Sequence, residues 1–353
     1  MNIIPIIFNE AMPSYTAVGG SRRSAATGVS AILLNRGGRY PRRTVFTELE
    51  KAGFDYVISL EGPHDRYDLE DLSACFPFVR FIILKNTISP GEQINLAVSE
   101  IDSSLFFVLW NDLRILYGGD AAKISAWFRV SREELLKLPP GTSPIRRLCT
   151  VPVIQNSDLE TLPTLTAPVF SRSKLPWKFR NAVKSLYVSP QAEAQLSLFP
   201  FDGVGIYDRD RFIQLGGFDG TIRNPYWQLM DFGFRSHLWG EEIRCTQLVR
   251  LSYDGEMGPE DTSADAGYRR FYLRNLAPVF RKDSAYIPLR FFPGYFLKTG
   301  GDPLAAWGKF RENQQWVRTN SRRFQRDARI LTGLWEQELP AEKLHKPQQD
   351  SQA

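Results

Sequence analysis

The chain has 353 residues, 43% hydrophobic and 24% charged with a net charge of +5, which suits one large globular domain or a domain with an appendage. No apolar run reaches the ~20 residues that a spanning helix needs. Cys75, Cys149 and Cys245 lie too far apart for a disulfide framework or a thiolate metal site, and His64, His237 and His345 leave little for a zinc cage or a Ser-His-Asp triad, so any metal is expected to be a hard ion held by oxygens.

Residues 1–28 end in the small, polar "VGGSRRSAATG" and are expected to form a loosely held leader. The opening has no basic stretch before its apolar residues, so a cytoplasmic location is expected. Regular structure is expected from Val29: "VSAILLN" (29–35) as a strand, "RRTVFTELEKAG" (42–53) as a helix stopped by Gly53, "DYVISLEG" (55–62) as a second strand. "DLEDLSACF" (68–76) is a short helix, "VRFIILKN" (79–86) a third strand, "GEQINLAVSEI" (91–101) a helix, and "SLFFVLW" (104–110) a fourth strand that stops on Asn111 and Asp112. Four nearly continuous apolar strands separated by helices predict an α/β fold with a mostly parallel sheet covered on both faces. Ligands of such sheets bind at the carboxyl ends of the strands, where Asn35, Glu61, Asn86 and Asp112 fall. Taken singly, each of these is more readily a turn residue.

From 118 to 200 the pattern weakens into a helix stopped by Pro139, a strand "RRLCTVPVI" and a proline-punctuated loop over "LETLPTLTAPVFSRSKLPWKF". After 200 come a strand, a helix "DRDRFIQLG", a Gly-Gly turn and a helix starting near Tyr226. The domain is placed at 29–255, a mainly helical extension at 256–340 and a disordered tail at 341–353. Basic residues crowd "RGGRYPRR" (36–43) and the stretch from Arg311 to Arg329, which suits phosphate-bearing or anionic-lipid partners. No nucleic-acid motif is found, and no nucleic-acid partner is expected.

The set "SAILLN", "VISLEG", "GEQINLAV", "FVLWND", "LGGFDG" and "QLMDFGFR" resembles, in order and spacing over roughly residues 29 to 250, the GT-A inverting glycosyltransferases of family 2. The resemblance implies a Rossmann-like GT-A domain that transfers a sugar from a nucleotide-sugar donor to a hydroxyl of a glycan or lipid-linked acceptor, in cell-envelope polysaccharide or glycolipid synthesis. It implies Mg²⁺ or Mn²⁺ on the diphosphate, with Asp112 as the metal ligand and Asn111 as a neutral oxygen ligand or a hydroxyl partner for the sugar. Asn35 and Glu61 are then expected to line the nucleotide pocket, and Arg36 to face the diphosphate.

Trp110 stands where the first acid of the family's "DxD" falls, and Gln228 and Leu229 stand where its acidic pair falls. The general base that an acceptor hydroxyl requires is then Asp231 or Asp219, or the chain is a non-catalytic glycan- or nucleotide-binding protein on the same scaffold. Asp231 near a helix start is equally a helix-stabilising residue, with Arg235 as its i,i+4 partner. Tyr226, Trp227 and Trp239 suit either a sugar-stacking face or the core. "LRFFPGYFLKTGG" with Trp307, Trp316 and Trp335 suits either peripheral contact with the inner face of a membrane or packing on the domain.

Overall fold

The computed structural model describes residues 13–36, 42–63, 68–136, 146–172, 181–253, 255, 258, 260–299, 302–328 and 330–335. The expected tail at 341–353 lies outside them. The first half alternates strands and helices: β1 (Tyr15–Gly19), β2 (Val29–Leu34), α1 (Arg42–Lys51), β3 (Val57–Glu61), α2 (Leu69–Cys75), β4 (Val79–Leu84), α3 (Pro90–Ser99) and β5 (Leu105–Trp110). Then follow β6 (Leu113–Tyr117), α4 (Ala121–Leu136), β7 (Arg146–Gln155), β8 (Leu165–Arg172), β9 (Asn181–Val188), β10 (Gly205–Asp208), α5 (Arg209–Leu215), α6 (Pro225–Leu238) and β11 (Glu241–Tyr253). The chain continues with α7 (Ala266–Phe271), β12 (Val279–Arg281), β13 (Ser284–Tyr286), α8 (Phe292–Thr299) and α9 (Pro303–Thr319).

Nine strands form one sheet in the order β1-β4-β3-β2-β5-β10-β7-β11-β6. Its centre, β4-β3-β2-β5, is parallel, and β10 joins β5 antiparallel. The class is the expected α/β. β2, β3 and β5 are buried at every position because helices cover both faces, and each large apolar side chain removed from water there contributes about 1.5–3 kcal/mol.

Two stretches differ from expectation. Within the supposed leader, Tyr15–Gly19 pairs antiparallel with β4 as an edge strand, too short and mixed to show an apolar pattern. Within the supposed proline loop, β8 pairs with β9, and Pro168 sits opposite Ser185. A two-stranded ribbon is all edge, so a residue without an N–H is tolerated there.

The helix α3 starts on a reciprocal cap, with Glu92 N donating to Ser89 Oγ and Ser89 N to the Glu92 carboxylate, each at 3.3 Å. It carries Asn95, whose amide nitrogen donates to Phe218 O at 2.8 Å and whose oxygen accepts from Phe218 N at 2.9 Å. One side chain thus clamps the Gly-Gly turn after α5. Gly217, at φ 64°, has no room for a side chain: a Cβ would lie 2.3 Å from Asn95 Oδ1. No helix among the described residues is long and apolar enough to cross a membrane.

Candidate functional site

Register puts the carboxyl ends of β3, β2 and β5 side by side, with Leu34 opposite both Leu60 and Trp110. Asn35, Glu61 and the turn Asn111–Asp112 therefore meet at one edge of the sheet. The Asn111 amide donates to Leu34 O at 2.9 Å, and the Arg36 amide donates back to Asn111 Oδ1 at 3.1 Å, which closes the β2 and β5 ends together.

From that closure the Arg36 guanidinium extends between two carboxylates. Its Nε donates to Asp112 Oδ2 at 2.8 Å, its Nη2 to Asp112 Oδ1 at 3.4 Å, and its Nη1 to Asp202. The Trp110 ring lies 4.4 Å and the Tyr253 ring 5.4 Å from the guanidinium carbon, within cation–π range. Trp110 Nε1 in turn donates to Asp202 O at 3.0 Å. Asp202 sits at φ 55°, a left-handed conformation uncommon outside glycine that the indole contact and the arginine help to hold. The Arg36, Asp112 and Asp202 side chains remain 31%, 17% and 33% exposed, so the trio stays open to a ligand.

Glu61 is placed differently. It is buried, accepts from Ser59 Oγ at 2.6 Å and pairs with Arg42 at 3.0 Å. Asn35 spends its amide on Leu60 O at 2.6 Å. Both residues thus brace the edge of the site.

Asp219 and Asp231 are each only 1% exposed. Asp219 Oδ2 accepts from Arg270 Nε and Arg274 Nη1, both at 2.8 Å, and Oδ1 accepts from the Thr221 hydroxyl at 2.6 Å. Burial alone would raise its pKa, but the charges of Arg274 and Arg270 outweigh it and hold the carboxyl well below the usual range. Asp231 Oδ2 accepts from Arg235 at 3.0 and 3.2 Å, and Oδ1 accepts from Asn275 at 2.7 Å. These two carboxylates join α6 to α7 and the turn that follows it. Their oxygens are engaged by donors and buried, which is the helix- and turn-bracing alternative for Asp231.

Of the two readings of the aromatic residues, the structure gives the core. Tyr226, Trp227 and Trp239 are at most 5% exposed; Trp227 stacks on Phe271, and Trp239 on Trp316. Gln228 holds the N-terminus of α3: Oε1 accepts from Gly91 N at 3.0 Å, and Nε2 donates to Ser89 Oγ at 2.9 Å. His237 is a buried structural residue, its Nε2 2.9 Å from Ser197 O.

Sequence inspection missed Asp202, Tyr253, Tyr187 and Glu260. Glu260 is exposed as a residue, yet its carboxyl end lies against the Tyr187 hydroxyl, which donates to it. Partial desolvation raises its pKa, and the charge of Asp202 adds to the rise. The Tyr187 ring packs edge-on against Phe201, the residue before Asp202, which links Glu260 to the Arg36 cluster. The segment is anchored on α6, where Asn224 Nδ2 donates to Asp261 O at 3.0 Å and Trp227 Nε1 to Ser263 O at 2.7 Å. The adjacent acids Glu260 and Asp261 were the available sequence signal.

No protein-family model and no curated protein matches the chain. Solved structures do. The crystal structure of GalNAc-T7 with UDP, GalNAc and Mn2+ aligns with a TM-score of 0.50 at 11% identity, over 86% of this chain and 56% of that one. The crystal structure of S. aureus TarS aligns with a TM-score of 0.40 at 10% identity, over 83% and 55%. S. aureus TarS 1-349 in complex with UDP-GlcNAc gives 0.38 at 12%, over 89% and 77%. The chain therefore spans little more than half the length of the first two, and the likeness to the first establishes a shared fold.

Proposed function

We propose that the chain is a cytoplasmic glycosyltransferase, of hexosyltransferase type, that moves a sugar from a nucleotide-sugar donor to a hydroxyl of a glycan or lipid-linked acceptor. The pathway we assign is cell-envelope polysaccharide or glycolipid synthesis. The observation that supports it is the Arg36 cluster at the carboxyl ends of β2 and β5, on a fold shared with a UDP-bound structure. That edge is where ligands of open α/β sheets bind.

A divalent ion on Asp112 is implied by the resemblance, but the residues present do not fit one. Both Asp112 oxygens accept from Arg36, Trp110 offers a ring where a second acid would stand, and no group of three metal-ligating side chains forms among the described residues. We therefore assign the charge of the leaving diphosphate to Arg36 and to the start of α1. Three guanidinium N–H bonds go to carboxylates, and a guanidinium has five. α1 opens with Arg42 and Arg43 and has no acid in its first turn, and the Glu61 carboxylate paired with Arg42 offsets only part of the positive charge there.

For the acceptor, Glu260 is the assigned base. A carboxylate with a raised pKa is better matched to taking a hydroxyl proton than one held low by arginines. Tyr187 orients it.

Thermal shift with a panel of nucleoside diphosphates, each with Mn²⁺ or with EDTA, tests the donor half. One nucleotide at a hundred times its Kd should stabilise the chain by about 2.7 kcal/mol, in EDTA as well as in Mn²⁺, and lose its effect in Arg36→Ala. No shift from any nucleotide sinks the proposal. A shift that appears only with Mn²⁺ and disappears in Asp112→Ala restores the metal site. A non-catalytic binding protein is the second reading, favoured by Gln228 standing in place of an acid and spent on α3. It predicts nucleotide binding with no donor turnover.

A further inference from the structure

Ten large apolar side chains are exposed among the described residues, and five of them, Tyr286, Leu289, Leu297, Leu304 and Trp307, fall within one short stretch. Leu297 and Leu304 are the most exposed of all, at 81% and 80%. They close α8 and open α9, so they share the tip of one helical hairpin.

The core does not need them. α9 buries Ala306, Phe310, Asn313 and Val317, spaced as one helical face, and α8 contributes Tyr295 to the same interior. Phe292 meets Trp307 at 4.8 Å and Phe310 at 5.4 Å, which completes the hairpin's own packing. Leu304, Trp307 and Arg311 then follow at spacings of three and four on the outward face, with the Arg311 guanidinium 5.7 Å from the Trp307 ring.

Charge identifies the occupant. Arg281, Lys282, Arg290, Lys309 and Arg311 are exposed in the same stretch of chain. Of the acids in the same stretch, Asp302 is spent capping α9, with Leu304 N donating to it at 2.9 Å, and Glu312 is held by Arg270 at 2.9 Å, which leaves the exposed Asp283 against the five bases. Leucines projecting from a hairpin tip, with tryptophan, tyrosine and arginine behind them, match the layering of a bilayer surface: acyl chains, then the interface, then anionic headgroups.

We propose that the tip of α8 and α9 docks on an anionic phospholipid surface, with Leu297 and Leu304 inserted and Arg290, Lys309 and Arg311 on the headgroups. The docking is independent of the donor chemistry, and none of its residues belongs to the Arg36 cluster.

The test is flotation of the full chain with phosphatidylcholine vesicles with and without phosphatidylglycerol. The wild type should float with the anionic vesicles only, and release at an ionic strength of ~1 M, where screening acts within about 3 Å. Leu297→Asp and Leu304→Asp should each weaken partition about tenfold or more, with unchanged thermal melting because both side chains already face water. Failure of the wild type to float, or equal flotation of the variants, overturns the proposal. So does self-association in sedimentation that the same substitutions abolish, since a second copy would then cover the tip.

Discussion

Two of the places where carboxylates meet arginines differ in what surrounds the pair. At Asp219 and Asp231 the acids are only 1% exposed and face arginine, asparagine or threonine donors. At Asp112 and Asp202 a single arginine is shared between two acids that remain partly open to solvent, with aromatic rings against the guanidinium. The first arrangement has its donors and acceptors matched and sealed, as buried charges must be. The second keeps unspent N–H groups and an anchored acid, Glu260, within its electrostatic reach. An ion pair marks a site when it is open and incompletely spent, and a strut when it is closed.

Substitutions in the two regions should therefore fail in different ways. The largest expected effect is at the open region. Glu260→Gln should lower kcat for sugar transfer by about 100- to 10,000-fold with little change in melting temperature. In the wild type, kcat should fall on the acid side with an apparent pKa above the ordinary ~4.3 of glutamate, because the base must be ionised and its environment holds the proton. Transfer kinetics across pH measure both. Asp231→Asn with full stability and a comparable loss of kcat would reverse the assignment and break the contrast.

At the closed region the loss should appear in folding. Asp219→Ala leaves Arg274 buried and Arg270 partly buried with only the exposed Glu312 shared between them, and removing one member of a buried pair costs about 3–5 kcal/mol. Urea unfolding of the variant should show that drop in midpoint at unchanged slope. A change under 1 kcal/mol would mean that Asp219 is no strut.

Much of this fold was readable because its central strands are buried on both faces and so appear as continuous apolar runs. The "GEQINLAV" and "LGGFDG" segments were likewise recognisable as members of one motif set, and Asn95 shows why they occur together: its side chain satisfies the backbone of Phe218. The ends of β2 and β5 could be found from the chain, since Arg36, Asn111 and Asp112 follow directly on the strands. Asp202, Tyr253 and Glu260 could not, because each reaches the site by a tertiary crossing. Asp202 arrives in the turn before an antiparallel strand, and Tyr253 at the end of a strand two places further along the sheet. Motif alignment put the family's acidic pair on Gln228 and Leu229 and left Asp219 or Asp231 for the base, Asp231 standing four residues before Arg235. That spacing is what an i,i+4 ion pair requires, and the pair is what formed.

Acid titration sharpens the contrast with the smallest expected effect, at a third buried group. Burial pushes the His237 imidazole down to about 4, while an unfolded histidine titrates near ~6.5. As pH falls from about 6.5 the unfolded chain takes up a proton that the folded chain refuses. Stability should therefore drop by about 1.4 kcal/mol per pH unit and level off near pH 4, a loss of about 3 kcal/mol from this residue. Asp219 acts in a separate window. Its folded pKa is depressed, so its contribution is complete above the ordinary carboxylate range and is lost only as pH falls below that range. Unfolding free energy measured from pH 7 downward should show the histidine slope first, and His237→Gln, whose amide can still donate toward Ser197 O, should flatten that slope while leaving the lower one. A wild type with no slope above pH 4 would mean that His237 protonates in place. The interior around β11 and α6 would then be open to water, and the line between sealed and open carboxylates would have to be redrawn.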